Sequence, residues 1–152
     1  MALLQISEPG NSGIPHQRNI AIGIDLGTTN SLVATIKSGE PVVLTNADGD
    51  QLIPSVVHYN INGKTSVGHA ALKHRETDPA NTIISVKRFM GQAVTDLNNH
   101  QTQPYNFIKQ SGMLEVITPH GIKNPIQISS EILIELKKIS LVNCEVYSLP
   151  IG

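Results

Sequence analysis

Apolar and polar positions alternate from the twentieth residue onward. In "IAIGID", Ile20, Ile22 and Ile24 share one face while Ala21, Gly23 and Asp25 share the other, which is the period of a strand. "SLVATI" (31–36) predicts a second strand, and the five residues between the two segments predict a tight hairpin turn. "PVVLTN" is a third candidate strand, stopped by "ADGD". Further along, "SVVHYNINGKTSVG" predicts another hairpin, with Asn62-Gly63 supplying the positive dihedrals of a two-residue turn. "HAALKHRE" predicts a short helix, and Asp78-Pro79 predicts the start of another, running through "IISVKRFMG" to a stop at Gly91. Residues 92–111 are polar and carry no period, whereas "MLEVITPHGIKNPIQI" predicts a hairpin around His120-Gly121. The last predicted element is a helix in "SSEILIELKKI", with Ser129 as its N-cap and Ile132, Leu136 and Ile139 at helical spacing. At the two ends, residues 1–19 read as a flexible tail broken by Pro9, Gly10, Gly13 and Pro15, and "SLVNCEVYSLPIG" shows no clear period.

Length and composition narrow what such a chain can be. Its 152 residues fit one ordinary domain. Hydrophobic residues make up 39% and aromatic residues 3%, with no Trp, which predicts a thin aliphatic core. The net charge of -1 leaves no basic surplus to neutralise phosphates, which argues against a nucleic-acid binder. A single cysteine, Cys144, excludes an intrachain disulfide and suits a reducing, cytoplasmic compartment. The opening "MALLQISEPGNSGIPHQR" is too short in apolar residues and too polar for a signal peptide, and no later segment approaches the roughly 20 apolar residues of a membrane span.

The chemistry concentrates in "IDLGTTN". Gly27 lets backbone approach a ligand closely, and successive N–H groups in such a turn form a concave anion site. Thr28 and Thr29 add hydroxyls and Asn30 an amide. Asp25 alone would repel a phosphate, so its place beside this turn suggests a bridging Mg²⁺, held directly or through water. A strand followed by Asp-x-Gly is also common turn punctuation; the Thr pair and the strand directly after it favour the phosphate site. The segment is neither a P-loop, lacking Gly-Lys-Ser/Thr, nor a dinucleotide fingerprint, lacking G-x-G-x-x-G. The six histidines read as ordinary surface or partly buried residues, since His69 and His74 are five apart and share no helical face.

"GIDLGTTNS" resembles the first phosphate motif of the actin-like ATPase superfamily, most closely that of the heat-shock protein 70 chaperones. "NADGDQLIPSVVHY", "VGHAALKHRETDPANTIISVKRFMG" and "ISSEILIELKK" agree in order and spacing. The leading tail is similar to that of members serving iron–sulfur cluster assembly. The resemblance implies an α/β fold: an incomplete actin-like ATPase lobe of ribonuclease H-like strands with an inserted small α+β domain, over residues 20–138. It implies ATP and Mg²⁺ as cofactors, with Asp25 holding the metal through water and Gly27, Thr28, Thr29 and Asn30 cradling the β- and γ-phosphates. Lys87, in "VKRFMG", matches the family's catalytic lysine; the sequence pattern alone would make it one of a solvated Lys-Arg pair.

The implied function is an ATP-dependent chaperone assisting iron–sulfur protein maturation, with a J-domain co-chaperone, HscB, and the cluster scaffold IscU as partners. The alternatives are a non-catalytic remnant holding half a nucleotide site and a small-molecule kinase of the same superfamily, the latter disfavoured by "IPSVVHY" and "VKRFMG". The resemblance implies that residues 139–152 depart from the family pattern, and it leads to the expectation of a truncated chain without the second phosphate loop, the adenosine pocket and the peptide-binding domain. From this follow three expectations: no ATP turnover by the chain alone, an uncovered apolar face on the last helix, and improved solubility at little cost in stability on replacing Leu136 by Lys.

Overall fold

The computed structural model describes residues 21–92, 104–108, 112 and 114–146. The expected tail over 1–19, much of the 92–111 stretch and residues 147–152 lie outside them. Strand β1 (Ile22–Asp25) pairs antiparallel with β2 (Asn30–Lys37), placing Asp25 opposite Leu32. On its other side β2 pairs with β3 (Glu40–Val43), and its first residues also pair with the short β4 (Ile53–Pro54). A second sheet has the order β6-β5-β7, from β5 (Val56–Tyr59), β6 (Thr65–Val67) and β7 (Thr82–Ile84), all antiparallel neighbours. Helix α1 (His69–Leu72) follows β6, and a two-stranded hairpin of β8 (Val116–Thr118) and β9 (Gly121–Lys123) leads into the long helix α2 (Pro125–Val146).

Three local expectations are corrected. The segment after Asp78-Pro79 is not a helix through "IISVKRFMG": a single 3₁₀ turn (Pro79–Asn81) gives way to β7, and a second 3₁₀ turn covers Val86–Phe89. The β-branched run Thr82, Ile83 and Ile84 suits a strand better than a helix, and β5 offers it a ladder. The Asn60–Lys64 connection is longer than a two-residue turn. Only Gly63 takes a positive φ, and the Asn60 side chain accepts the Asn62 N–H at 2.9 Å. Finally, α2 begins at Pro125, four residues before the expected Ser129 cap. Asn124 Oδ1 accepts the Gln127 N–H at 2.9 Å and Gln127 Oε1 accepts the Asn124 N–H at 3.0 Å, a reciprocal capping box with Pro at the first helical position. Ser129 is instead buried inside the helix, and the helix continues through Val146 where no period was legible.

The core joins both sheets to α2. Ile128, Ile132 and Leu136 are 1%, 0% and 0% exposed, packed in one cluster with Val33, Val57, Tyr59, Val86 and Phe89. Each such side chain contributes about 1.5–3 kcal/mol by leaving water. The expectation of an uncovered Ile132–Leu136–Ile139 face is therefore wrong: β2, β5, β6 and the Val86–Phe89 turn cover it. The exposed apolar residues of α2 lie elsewhere, at Ile126, Leu133, Ile134, Leu141 and Val142. Nor is the core purely aliphatic. Phe89, Tyr105 and Phe107 meet edge to face with ring centroids 5.6–5.9 Å apart, so part of the stretch that carried no sequence signal supplies core.

Tyr59 carries a testable consequence of this burial. Its hydroxyl finds no hydrogen-bond partner among the described residues, and burial, with the Glu131 carboxylate adding, pushes the phenol far above its ordinary value of 10.0. Above pH 10 the unfolded chain releases this proton while the folded chain keeps it, so stability falls as pH rises through that range. Tyr105 is shifted the same way by burial, so Tyr59→Phe should weaken the alkaline loss without removing it. At neutral pH the same change removes an unsatisfied buried hydroxyl and should add about 1 kcal/mol. Urea midpoints at pH 7.5 and 10.5 measure both effects; a variant less stable than the parent at both pH values would show that the hydroxyl has a partner.

Candidate functional site

The turn between β1 and β2 is held from behind. A Cβ on Gly27 would run into the carbonyl oxygen of Asn30, with the Asn30 carbonyl carbon 3.2 Å away. The need for glycine here is close approach of backbone to backbone, not a positive φ. Ser55, at the junction of β4 and β5, donates its hydroxyl to the Gly27 carbonyl at 2.9 Å and its N–H to the Thr29 carbonyl at 2.8 Å. Its hydroxyl also lies 2.9 Å from that of Ser31, both side chains being buried.

Facing the other way, the turn is chemically open. The N–H groups of Gly27, Thr28 and Thr29 donate to no described protein group, and the side chains of Asp25, Thr28, Thr29 and Asn30 have no described hydrogen-bond partner. Asp25, Thr29 and Asn30 are exposed and Thr28 is half-buried. Unused amides, two hydroxyls, an amide side chain and a carboxylate thus converge on one short segment. That set fits an anion accompanied by a cation, since the amides attract the first and Asp25 the second.

Lys87 sits on the Val86–Phe89 turn, exposed and without a carboxylate partner among the described residues. Ser85, two positions earlier, takes a left-handed φ of 56° and donates its N–H to the Ser55 carbonyl at 3.1 Å. The phosphate-turn candidates and the Lys87 segment are therefore tied to the same residue. Neither Ser55 nor Ser31 was singled out by sequence; "IPSVVHY" contains the first, but nothing in its pattern marks a serine whose hydroxyl reaches back 28 residues.

His58, His74 and His120 serve packing and hydrogen bonding, while His69 is exposed, 3.6 Å from Asp50 Oδ2. His58, 2% exposed, stacks on His74 at 4.1 Å and places Nε2 3.0 Å from Asp78 Oδ2, while His120 Nε2 lies 2.8 Å from the Asn60 carbonyl. Among the described residues, no group of three His, Cys, Asp or Glu is arranged to hold a metal ion, and no helix is long and apolar enough to cross a membrane.

A family model described as Hsp70 protein matches residues 21–145, which includes the turn, Ser55, Lys87 and nearly all of α2. The chain belongs to the Hsp70 family. This Hsp70-family chain is 54% identical over 140 residues to a chaperone protein HscA homolog of Polynucleobacter asymbioticus, covering 92% of its own length and 22% of that protein. A chaperone protein HscA homolog of Methylobacillus flagellatus is 54% identical over 137 residues, and one of Janthinobacterium sp. (strain Marseille) 53% over 138, each again matched over 22% of its length. The resemblance carried by the motifs therefore holds at the level of the family and of the HscA homologues. The chain spans 22% of the length of these curated relatives.

Proposed function

We propose that the chain is the phosphate-binding opening of an ATP-dependent, cytoplasmic Hsp70-family chaperone that assists maturation of iron–sulfur proteins. The turn whose unused amides surround Gly27 is the observation that carries this reading, because it offers donors to an anion at a place where no side chain can intrude. The antiparallel sheets and the helix packed on them are what one lobe of an actin-like ATPase would contribute. In that reading Gly27, Thr28, Thr29 and Asn30 hold the β- and γ-phosphates. Asp25 holds Mg²⁺ through water, and the metal, when bound, offsets phosphate charge. The Lys87 ammonium stabilises charge on the γ-phosphoryl group and helps place the attacking water. The HscA-type resemblance adds the J-domain co-chaperone HscB and the scaffold IscU as partners of the whole protein, and turnover belongs to that whole protein, where both sides of the γ-phosphate are contacted.

Calorimetric titration of the 152-residue chain with ATP, GTP and tripolyphosphate, with and without Mg²⁺, tests the site. The expected result is weak binding, of about millimolar order, that requires Mg²⁺ and differs little between the three. Asp25→Asn should remove the Mg²⁺ requirement together with most of the binding. Folded chain that binds none of them, or binds them equally well without Mg²⁺, would sink the reading.

A further inference from the structure

We propose that Ser55 is a positioning residue that aims the phosphate turn, an inference resting on the phosphate-site reading above. Four contacts converge on this one buried side chain and its backbone. The hydroxyl reaches the Gly27 carbonyl and the Ser31 hydroxyl, the N–H reaches the Thr29 carbonyl, and the carbonyl accepts the Ser85 N–H. Among the described residues, Ser55 alone is hydrogen-bonded to both the turn and the segment leading to Lys87.

The consequence follows from peptide geometry. In a planar trans peptide the C=O and the next N–H point in opposite directions, and no described peptide bond is cis. Drawing the Gly27 carbonyl toward Ser55 therefore turns the Thr28 N–H away from it, to the open side, and drawing the Thr29 carbonyl there turns the Asn30 N–H away from Ser55 as well. The Thr29 contact is made by backbone and survives any substitution other than proline. The Gly27 contact is made by the hydroxyl alone. Remove the hydroxyl and the peptide between Gly27 and Thr28 loses the bond that fixes its direction, while the Ser55–Ser85 backbone bond still anchors the Lys87 segment.

Ser55→Ala and Ser55→Thr in the 152-residue chain separate this role from a general contribution to folding. Without ligand, ¹⁵N relaxation should show Thr28 and Thr29 more mobile in Ser55→Ala and restored in Ser55→Thr, with Ile132–Leu136 and Lys87 unchanged in both. With tripolyphosphate and Mg²⁺ as the probe, Ser55→Ala should bind at least fivefold more weakly and Ser55→Thr within twofold of the parent. Mobility rising everywhere, or unchanged in the turn, would overturn the proposal, as would unaltered affinity in Ser55→Ala. If the parent chain binds no tripolyphosphate, the phosphate reading fails by itself and the ligand-free relaxation still decides whether Ser55 fixes the turn. Should Ser55→Ala not fold, Ser55→Cys, whose thiol is a weak donor, takes its place: a rise in mobility at Thr28 with Ile132–Leu136 unchanged supports the proposal, and no rise overturns it.

Discussion

Leu136→Lys is expected to unfold the chain. The side chain is 0% exposed and packs in the cluster where α2 meets β2, β5 and the Val86–Phe89 turn. The substitution removes apolar contacts worth about 2–5 kcal/mol in comparable truncations and adds a charge with no partner in an apolar site. Losses above about 4–5 kcal/mol come from mechanisms of this kind, and a small domain has only about 5–15 kcal/mol in total. Far-UV circular dichroism should therefore show loss of structure at 25 °C or a transition without cooperativity. Val142→Lys, on the same helix but 63% exposed, supplies the control and should change stability by no more than about 0.5 kcal/mol. A Leu136→Lys protein that melts like the parent would mean that α2 does not sit on this core.

That contrast shows where sequence reasoning stops. The spacing of Ile132, Leu136 and Ile139 defines an apolar stripe, and a stripe is what the helix presents. Whether another element covers it depends on chain segments far away in sequence, and here β2 and β5 cover it although only part of the family pattern is present. The start of α2 is legible in the sequence: Asn124, Pro125 and Gln127 stand at the cap, first and third helical positions, whereas Ser129 only precedes a more obviously apolar run. β7 differs from its local signal for a related reason. Asp78-Pro79 is a sound helix opening, yet the ladder with β5 decides the state of the β-branched residues after it. The aromatic triangle carries no sequence signal, since Tyr105 and Phe107 stand in a polar stretch and pack through each other and Phe89, which is far away in the chain.

The candidate site divides along the same line. Asp25 and the turn after it are local features, fixed by a strand, a glycine and the strand that returns, so alternation and turn chemistry were enough to find them. The attachment of that turn to Ser55, and of Ser55 to Ser85, is tertiary, and no periodicity announces it. Lys87 falls between the two cases. Its position in "VKRFMG" carried a family resemblance, while its physical link to the turn became visible only through the β5–β7 ladder.

Gly27→Ala should abolish triphosphate binding while leaving the fold in place. The added Cβ would run into the Asn30 carbonyl oxygen, which belongs to the backbone, so no side-chain rotation relieves the clash. The turn must open or the peptide after Gly27 must rotate, and either movement redirects the N–H groups that face the ligand. Outside the turn the change is limited, because Gly27 itself contributes nothing to the core cluster, although its neighbour Leu26 packs against that cluster. The expected cost in stability is about 1–3 kcal/mol, the range for a locally strained backbone, against a loss of binding of tenfold or more. Gly23→Ala is the matched control, since a Cβ there meets nothing within 4 Å; its affinity should equal the parent's and its stability should be equal or slightly higher. Calorimetry with tripolyphosphate and Mg²⁺, set beside thermal melts of both variants, separates the two effects. Retained binding in Gly27→Ala would show that the amides of this turn are not what holds the phosphates, and the site would then have to be sought away from β1 and β2.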